Sequence, residues 1–338
     1  MTRETTIRVH APGRVNLIGE HTDYTGGLAF PMAIDRVTTL TATSNPSRIE
    51  LTSADGDGAV DLAVPIDVEP KDVTPDWGTR IAAMAQDIGA DSGLSGHLVS
   101  DIPAGAGLSS SAALMCAVGL ALGFEGTPLQ LAEAARRAEH AATGVPTGIM
   151  DQLCIASATD GHATLIDCHT NTVEQVPVPT EIDIVVRYIA HRTLVGSAYT
   201  DRVNECRQAE AEVGPLRTAT LDDVARIGDA LVQRRARHVV NENQRVRDFA
   251  EALRRADYVD AGRLMVESHA SLRDDYDTST EQMDAAVDEL NSSDGVFGAR
   301  MTGGGFGGCL VVMCEPGAVT DGWLVRASAG ARVLPTDG

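Results

Sequence analysis

Three short clusters hold the residue types that could do chemistry. The first, Ala104-Gly105-Ala106-Gly107-Leu108-Ser109-Ser110-Ser111-Ala112-Ala113, joins glycines to a serine run. Small side chains there let backbone N–H groups approach a ligand closely. The helix expected to follow adds unsatisfied donors and a positive dipole end, which together make an anion site. Serine hydroxyls can bond phosphate oxygens or Mg²⁺. The plain alternative is a flexible loop with a serine N-cap, and placement between a strand end and a helix start weighs against it.

The second cluster runs from Pro12 to Tyr24. Glu20, His21 and Asp23 offer acceptors and a donor in a short arc, the chemistry needed to read several hydroxyls of a polyol. A capped turn with surface charges would look similar. In the third cluster, Gly148-Ile149-Met150-Asp151-Gln152, an acid occupies the first turn of an expected helix, where dipole and amides stabilise its ionised form. Alone, such an acid is more often part of a cap than a catalyst. Glu139, late on the preceding helix, sits where a helix end disfavours negative charge, so a cation partner would account for it.

Charge decides which phosphate-binding class is possible. With 27 basic and 48 acidic residues in 338, the formal charge is −21, which repels nucleic acid and anionic membranes. Lys71 is the only lysine, and it lies in a proline-flanked loop. A Walker A loop needs a lysine after its last glycine and a protein kinase needs a strand lysine, so both classes are disfavoured. A dinucleotide G-x-G-x-x-G fails too, because Ser110 stands where the third glycine belongs. Amide donors and the helix dipole must therefore carry most of any phosphate affinity.

The elements that position these clusters read as a mixture without regular alternation, which favours an α+β fold. Strands are expected at Ile7–His10, Thr38–Thr43, His97–Ser100, His162–Asp167, Glu174–Val178, Ile182–Ile189 and Gly308–Cys314. Thr127, Pro128 and Gln130 form a helix start with a capping box, and that helix should stop near Gly144. Helices are expected at 110–122, from Ile149, and at 198–213, 221–234, 246–256, 259–272 and 281–290. Two prolines near 178–181 suggest a division into residues 1–179 and 180–338. The six cysteines form no C-x-x-C pair and read as free thiols of a reducing compartment. No apolar run follows Met1-Thr2-Arg3-Glu4, and none approaches eighteen residues, which points to a cytoplasmic protein.

The second cluster, Gly13-Arg14-Val15-Asn16-Leu17-Ile18-Gly19-Glu20-His21-Thr22-Asp23-Tyr24, resembles the galactokinase signature. Gly107 to Ala112 resembles the phosphate loop of the wider superfamily of galactokinase, homoserine, mevalonate and phosphomevalonate kinases. Gly148 to Gln152 and Ala299 to Cys309 complete the set in the same order, so the resemblance spans Val9 to Leu334. It implies a two-domain kinase fold with ATP and Mg²⁺ in the cleft, and phosphorylation of a galactose-like sugar at its anomeric C1 hydroxyl.

By the same resemblance Asp151 is the catalytic carboxylate and Arg14 its partner across the transferring phosphoryl group. Glu20, His21, Asp23, Gly148 and Tyr199 line the sugar pocket. Gly105, Gly107, Leu108, Ser109, Ser110, Ser111 and Ala112 hold the nucleotide, with Trp77 bordering adenine. Glu139 with Ser110 or Ser111 holds Mg²⁺, and the cluster Gly303, Gly304 and Gly305 closes the site. One departure is Arg192, which stands where galactokinases usually carry a histidine before the pocket tyrosine. Another sugar substrate, a regulator that has lost catalysis, and a homoserine or mevalonate kinase are the alternatives. The Glu20-His21-x-Asp23 cluster disfavours the last. Oligomeric state is not legible.

Overall fold

The computed structural model describes residues 6–191 and 198–335. In chain order the elements are β1 (Thr6–Ile18), β2 (Leu28–Asn45), β3 (Arg48–Ser53), β4 (Ala59–Ala63), α1 (Asp76–Asp87), β5 (Gly93–Ser100), α2 (Ser110–Ala121), α3 (Pro128–Thr143), α4 (Met150–Ser157), β6 (His162–Asp167) and β7 (Thr172–Pro177). After a change of sheet come β8 (Asp183–Ala190), α5 (Tyr199–Val213), α6 (Leu221–Val224), α7 (Ala230–Arg254), α8 (Tyr258–Asp274), α9 (Glu281–Asn291), β9 (Val296–Thr302), β10 (Gly308–Cys314), β11 (Trp323–Val325) and β12 (Arg332–Val333).

The first sheet runs β12-β1-β2-β5-β3-β4, with β6 and β7 joined to it through β2, and the second runs β11-β8-β10-β9. Both are antiparallel except for the β3–β5 pair. The fold is therefore α+β, as expected. The sheets change over between Pro177 and Asp183, but β12 and an Ile34–Ala327 bridge return to the first sheet.

The second sheet is buried on both faces, which is why Gly308–Cys314 reads as a nearly unbroken apolar run. Side chains alternate across a strand. Ile184 and Val186 of β8 thus join the core of the first sheet, while Val185 packs with Leu310, Val312 and the helices of the second half. Helix α2 is apolar all round because it is central, with Ala113, Met115, Cys116 and Val118 fully buried.

Several elements depart from expectation. β1 does not stop at His10 but continues through Ile18, with irregularities between Pro12 and Arg14 and between Asn16 and Ile18. Arg14 therefore sits on a strand rather than in the turn after one. The helices expected at 221–234 and 246–256 are instead the single turn α6 and the 25-residue α7. Asp229 starts α7 by accepting from the Leu231 and Val232 amides. Buried Arg235, His238, Glu242 and Asn243 in its middle hide its continuity in the sequence. Helix α1 and strands β3, β4 and β9 were not anticipated. The capping box of α3 is present, with Gly144 as its left-handed C-cap.

Candidate active site

Strand β1 and the serine loop are stitched together at Gly13, where an added Cβ would lie 2.8 Å from the Leu108 carbonyl oxygen. The Arg14 N–H donates to that same oxygen at 3.1 Å. The Arg14 side chain then reaches across to α4. Its Nε donates to Asp151 Oδ1 at 2.7 Å, Nη2 to Oδ2 at 2.6 Å, and Nη1 to the Gly107 carbonyl at 2.7 Å. This planar fork is a geometry that lysine cannot reproduce. Arg14 is buried, whereas 29% of the Asp151 side chain remains exposed, so the pair presents its acid edge to the cleft.

Gly105, Gly107 and Ser109 all have positive φ, which turns the loop into the start of α2. Ser109 is not glycine, and its hydroxyl donates to Asp151 Oδ2. That bond engages the hydroxyl expected to meet phosphate, while the side chains of Leu108 and Ala112 lie in the core. These three can face a nucleotide only through their backbone. Ser110 and Ser111 do line an open cavity of about 540 Å³, together with Trp77 and Arg80. The Trp77 indole donates to the Asp57 carbonyl at 3.2 Å, which fixes the ring at the cavity edge. Arg80 donates to Ser111 Oγ at 3.0 Å.

Asp151 itself lines a smaller cavity of about 60 Å³, together with Arg14, His21, Asp23, Tyr199, Gly303 and Gly304. His21 has positive φ, and its Nδ1 lies 2.8 Å from the Tyr24 hydroxyl. That hydroxyl is 2.7 Å from the Tyr276 hydroxyl, which is 3.0 Å from Cys206 Sγ. Tyr199 and Tyr276 place their rings 5.6 and 4.6 Å from the imidazole. Asp23 is pressed against Gly148, whose missing Cβ would fall 1.9 Å from Oδ2. Burial and the Asp151 charge push the Asp23 carboxyl up to about 6.

Glu20 borders this cavity too. Its carboxylate pairs with wholly buried Arg300 and accepts the Gly303 N–H at 2.9 Å. The same side chain therefore ties the signature to β9. Burial nevertheless pushes its pKa up, against the lowering effect of Arg300. Beneath it, Glu242 accepts the Gly19 N–H at 3.0 Å and the Ser268 hydroxyl at 2.6 Å. Burial alone would raise the Glu242 pKa, but Arg245, His238 and Arg300 bring it down to about 2. Of the glycine cluster, Gly303 and Gly304 face the cavity. Gly305 instead packs on Thr278, where a Cβ would meet the carbonyl oxygen at 2.4 Å. Arg192 lies outside the described residues.

Glu139 accepts from Gln152 Nε2 at 2.6 Å and from the Ser111 hydroxyl. Burial first, and then the nearby Asp151 charge, hold its carboxyl above the ordinary range. Arg80, Gln152, Tyr24 and Arg300 are site residues that sequence reasoning did not single out. Three of them lie inside or beside the quoted motifs, whereas Arg80 belongs to the unanticipated helix α1.

Comparison with known proteins matches residues 2–44 to the galactokinase galactose-binding signature, 79–159 to the GHMP kinases N terminal domain and 249–322 to the GHMP kinases C terminal family. A galactokinase of Bos taurus is 41% identical, over 98% of this chain and 93% of that protein. The chain belongs to the galactokinase family. A galactokinase of Chloroflexus aurantiacus is 42% identical over 96% of the chain and 89% of its own length. The crystal structure of Lactococcus lactis galactokinase complexed with galactose superposes with a TM-score of 0.90 at 30% identity, covering 97% of this chain and 95% of that one. Membership carries with it the two-domain GHMP kinase architecture, which a mevalonate kinase shares at TM-score 0.67 and 22% identity. The resemblance seen in the sequence thus holds along the chain.

Proposed function

We propose that this galactokinase-family chain transfers the γ-phosphoryl group of ATP to the anomeric C1 hydroxyl of galactose, giving galactose 1-phosphate and ADP. One observation supports the assignment of roles: the Arg14–Asp151 fork lines the cavity bounded by His21 and Asp23 and is hydrogen-bonded to Gly107 and Ser109 of the loop whose next two serines line the larger cavity. Phosphoryl transfer depends on in-line positioning and charge stabilisation more than on covalent help. Asp151 accepts the C1 hydroxyl proton or orients that hydroxyl, and Ser109 and Arg14 fix its two oxygens. Arg14 also offsets charge on the moving group. Asp23 and His21 read sugar hydroxyls, with Tyr24 and Tyr276 holding the imidazole. The α2 N-terminal amides and Ser110 face the phosphates, and Trp77 borders the base.

Glu139 and Ser111 fit a Mg²⁺ ion. They are hard oxygen donors, and the carboxylate is buried beside a second negative charge, where a cation would relieve both. Among the described residues no three His, Cys, Asp or Glu side chains form a metal cage. Mg²⁺ sites of this kind rest on one or two carboxylates plus substrate phosphates. When bound, the ion supplies neutralisation of phosphate charge. Among the described residues no helix is long and apolar enough to cross a membrane, and the six cysteines are free thiols. Both features suit a reducing cytoplasm, and the net charge of −21 disfavours nucleic acid and anionic membranes as partners.

A panel of sugars with ATP and Mg²⁺, followed by ADP release, tests the reading. A buried polar group left unpaired costs roughly 1–3 kcal/mol, so glucose should fall about tenfold to a hundredfold below galactose in kcat/KM. Equal rates on the two sugars would remove the galactose reading, and no ADP release on any sugar would remove the kinase.

A further inference from the structure

Beside the sugar cavity, and sharing Asp23, Thr147 and Gly148 with it, lies a cleft of about 530 Å³ whose lining from α3 and α5 has no role in the proposed reaction. Its cationic lining stands out in a chain of net charge −21: Arg136, Arg137 and His140 come from α3, and Arg207 from α5. Arg137 is held by Asp87 at 2.8 and 2.9 Å. Arg136 and Arg207 are exposed and have no carboxylate within ion-pair distance among the described residues, where most arginines do. Arg207 has only the Asn204 amide oxygen, at 3.3 Å. Thr147 belongs to the walls of both cavities, and its buried hydroxyl has no hydrogen-bond partner among the described residues.

We infer that this cleft is a second ligand site, which binds a phosphate monoester through Arg136, Arg207, His140 and the Thr147 hydroxyl. Guanidinium groups on facing helices suit the several oxygens of a dianion, and a hydroxyl adds a directed donor. The volume admits a phosphorylated sugar, and the cleft lies next to the place where one is made. Asp23 and Gly148 stand in both walls. A dianion beside Asp23 favours the protonated carboxyl, which accepts fewer hydroxyl donors from the sugar. Occupancy of the cleft therefore raises the KM for galactose, and the linkage is reciprocal.

The test is calorimetry on the full chain, saturated with galactose and a non-transferable ATP analogue, titrated separately with inorganic phosphate and with galactose 1-phosphate. One further equivalent should bind, more weakly at high salt because the arginines are exposed. Binding of both probes identifies the phosphate group as the recognised feature, and binding of galactose 1-phosphate alone identifies the reaction's own product. Arg136→Gln with Arg207→Gln should weaken it by at least about tenfold, the loss expected for removing charge-assisted contacts. The double variant should keep wild-type melting temperature and, without added phosphate, wild-type turnover of galactose. No additional binding with the active site filled, or unchanged binding in the double variant, would overturn the site. The inorganic phosphate arm needs no turnover, so its result stands whatever sugar the enzyme phosphorylates.

Discussion

Gly148→Ala isolates how closely Asp23, the carboxylate we propose reads the sugar, must approach the α4 start. The added Cβ would lie 1.9 Å from Asp23 Oδ2, 2.3 Å from its Cγ and 2.8 Å from its Cβ. Ordinary contact begins near 3.5 Å, so the carboxylate must retreat by more than 1 Å. The Asp23 backbone cannot follow. Thr22 Oγ1 donates to the Leu28 carbonyl at 2.6 Å, Gly27 N–H donates to the Thr22 carbonyl at 2.8 Å, and Gly27 itself is packed on Asn243. Asp23 must therefore rotate away from its position beside the sugar cavity. Displacements of about 1 Å in a positioning group cost about 10²-fold, and we expect that loss in kcat/KM for galactose, mostly as raised KM. Overpacking should also lower stability by about 1–3 kcal/mol. Gly144→Ala is the control: it has open space but positive φ, so it should lose stability without losing sugar affinity. Steady-state kinetics, galactose calorimetry and melting temperatures decide. A Gly148→Ala enzyme that binds galactose like wild type would refute the close-approach argument.

Two further perturbations follow from the carboxylates. Burial and Asp151 raise the Asp23 pKa from 3.8 to about 6, so kcat/KM for galactose should fall as pH drops below about 6. A raised acid pKa opposes folding fully above about pH 6 and not at all below 3.8, by on the order of 3 kcal/mol. Asp23→Asn should thus gain stability in urea at pH 8 and lose sugar affinity, and unchanged stability would contradict the burial cost. Glu139→Gln should raise the Mg²⁺ concentration needed for half-maximal rate and lower kcat, with galactose affinity nearly intact. An unchanged Mg²⁺ dependence would return Glu139 to a structural role.

Local signals were legible where one side chain decides one feature. Thr127, Pro128 and Gln130 set the start of α3, and Gly144 its end. The serine loop and the Asp151 turn were readable for the same reason. What escaped depends on partners remote in sequence. α7 looked like two helices because Arg235, His238 and Glu242 interrupt its apolar stripe. They are buried only because Glu205, the Glu20 carbonyl and the Gly19 amide satisfy them. The ion pair that holds Glu20 could not be read locally, because Arg300, its buried partner, lies 280 positions away. α1 was hidden behind Pro75, which is its N-cap, and Arg80 went unseen with it.

The assignment of Asp151 and Arg14 is tested most directly by single-turnover phosphorylation with Asp151→Asn, with galactose affinity measured separately by calorimetry. The substitution keeps shape and removes the charge that Arg14 and Ser109 hold in place. Galactose should still bind within a few-fold of wild type, while the transfer rate falls by about 10²-fold or more, the range for losing an acid–base group. Near-normal transfer by a correctly folded Asp151→Asn enzyme would contradict the account, and positioning by the serine loop and Mg²⁺ would then have to carry the reaction.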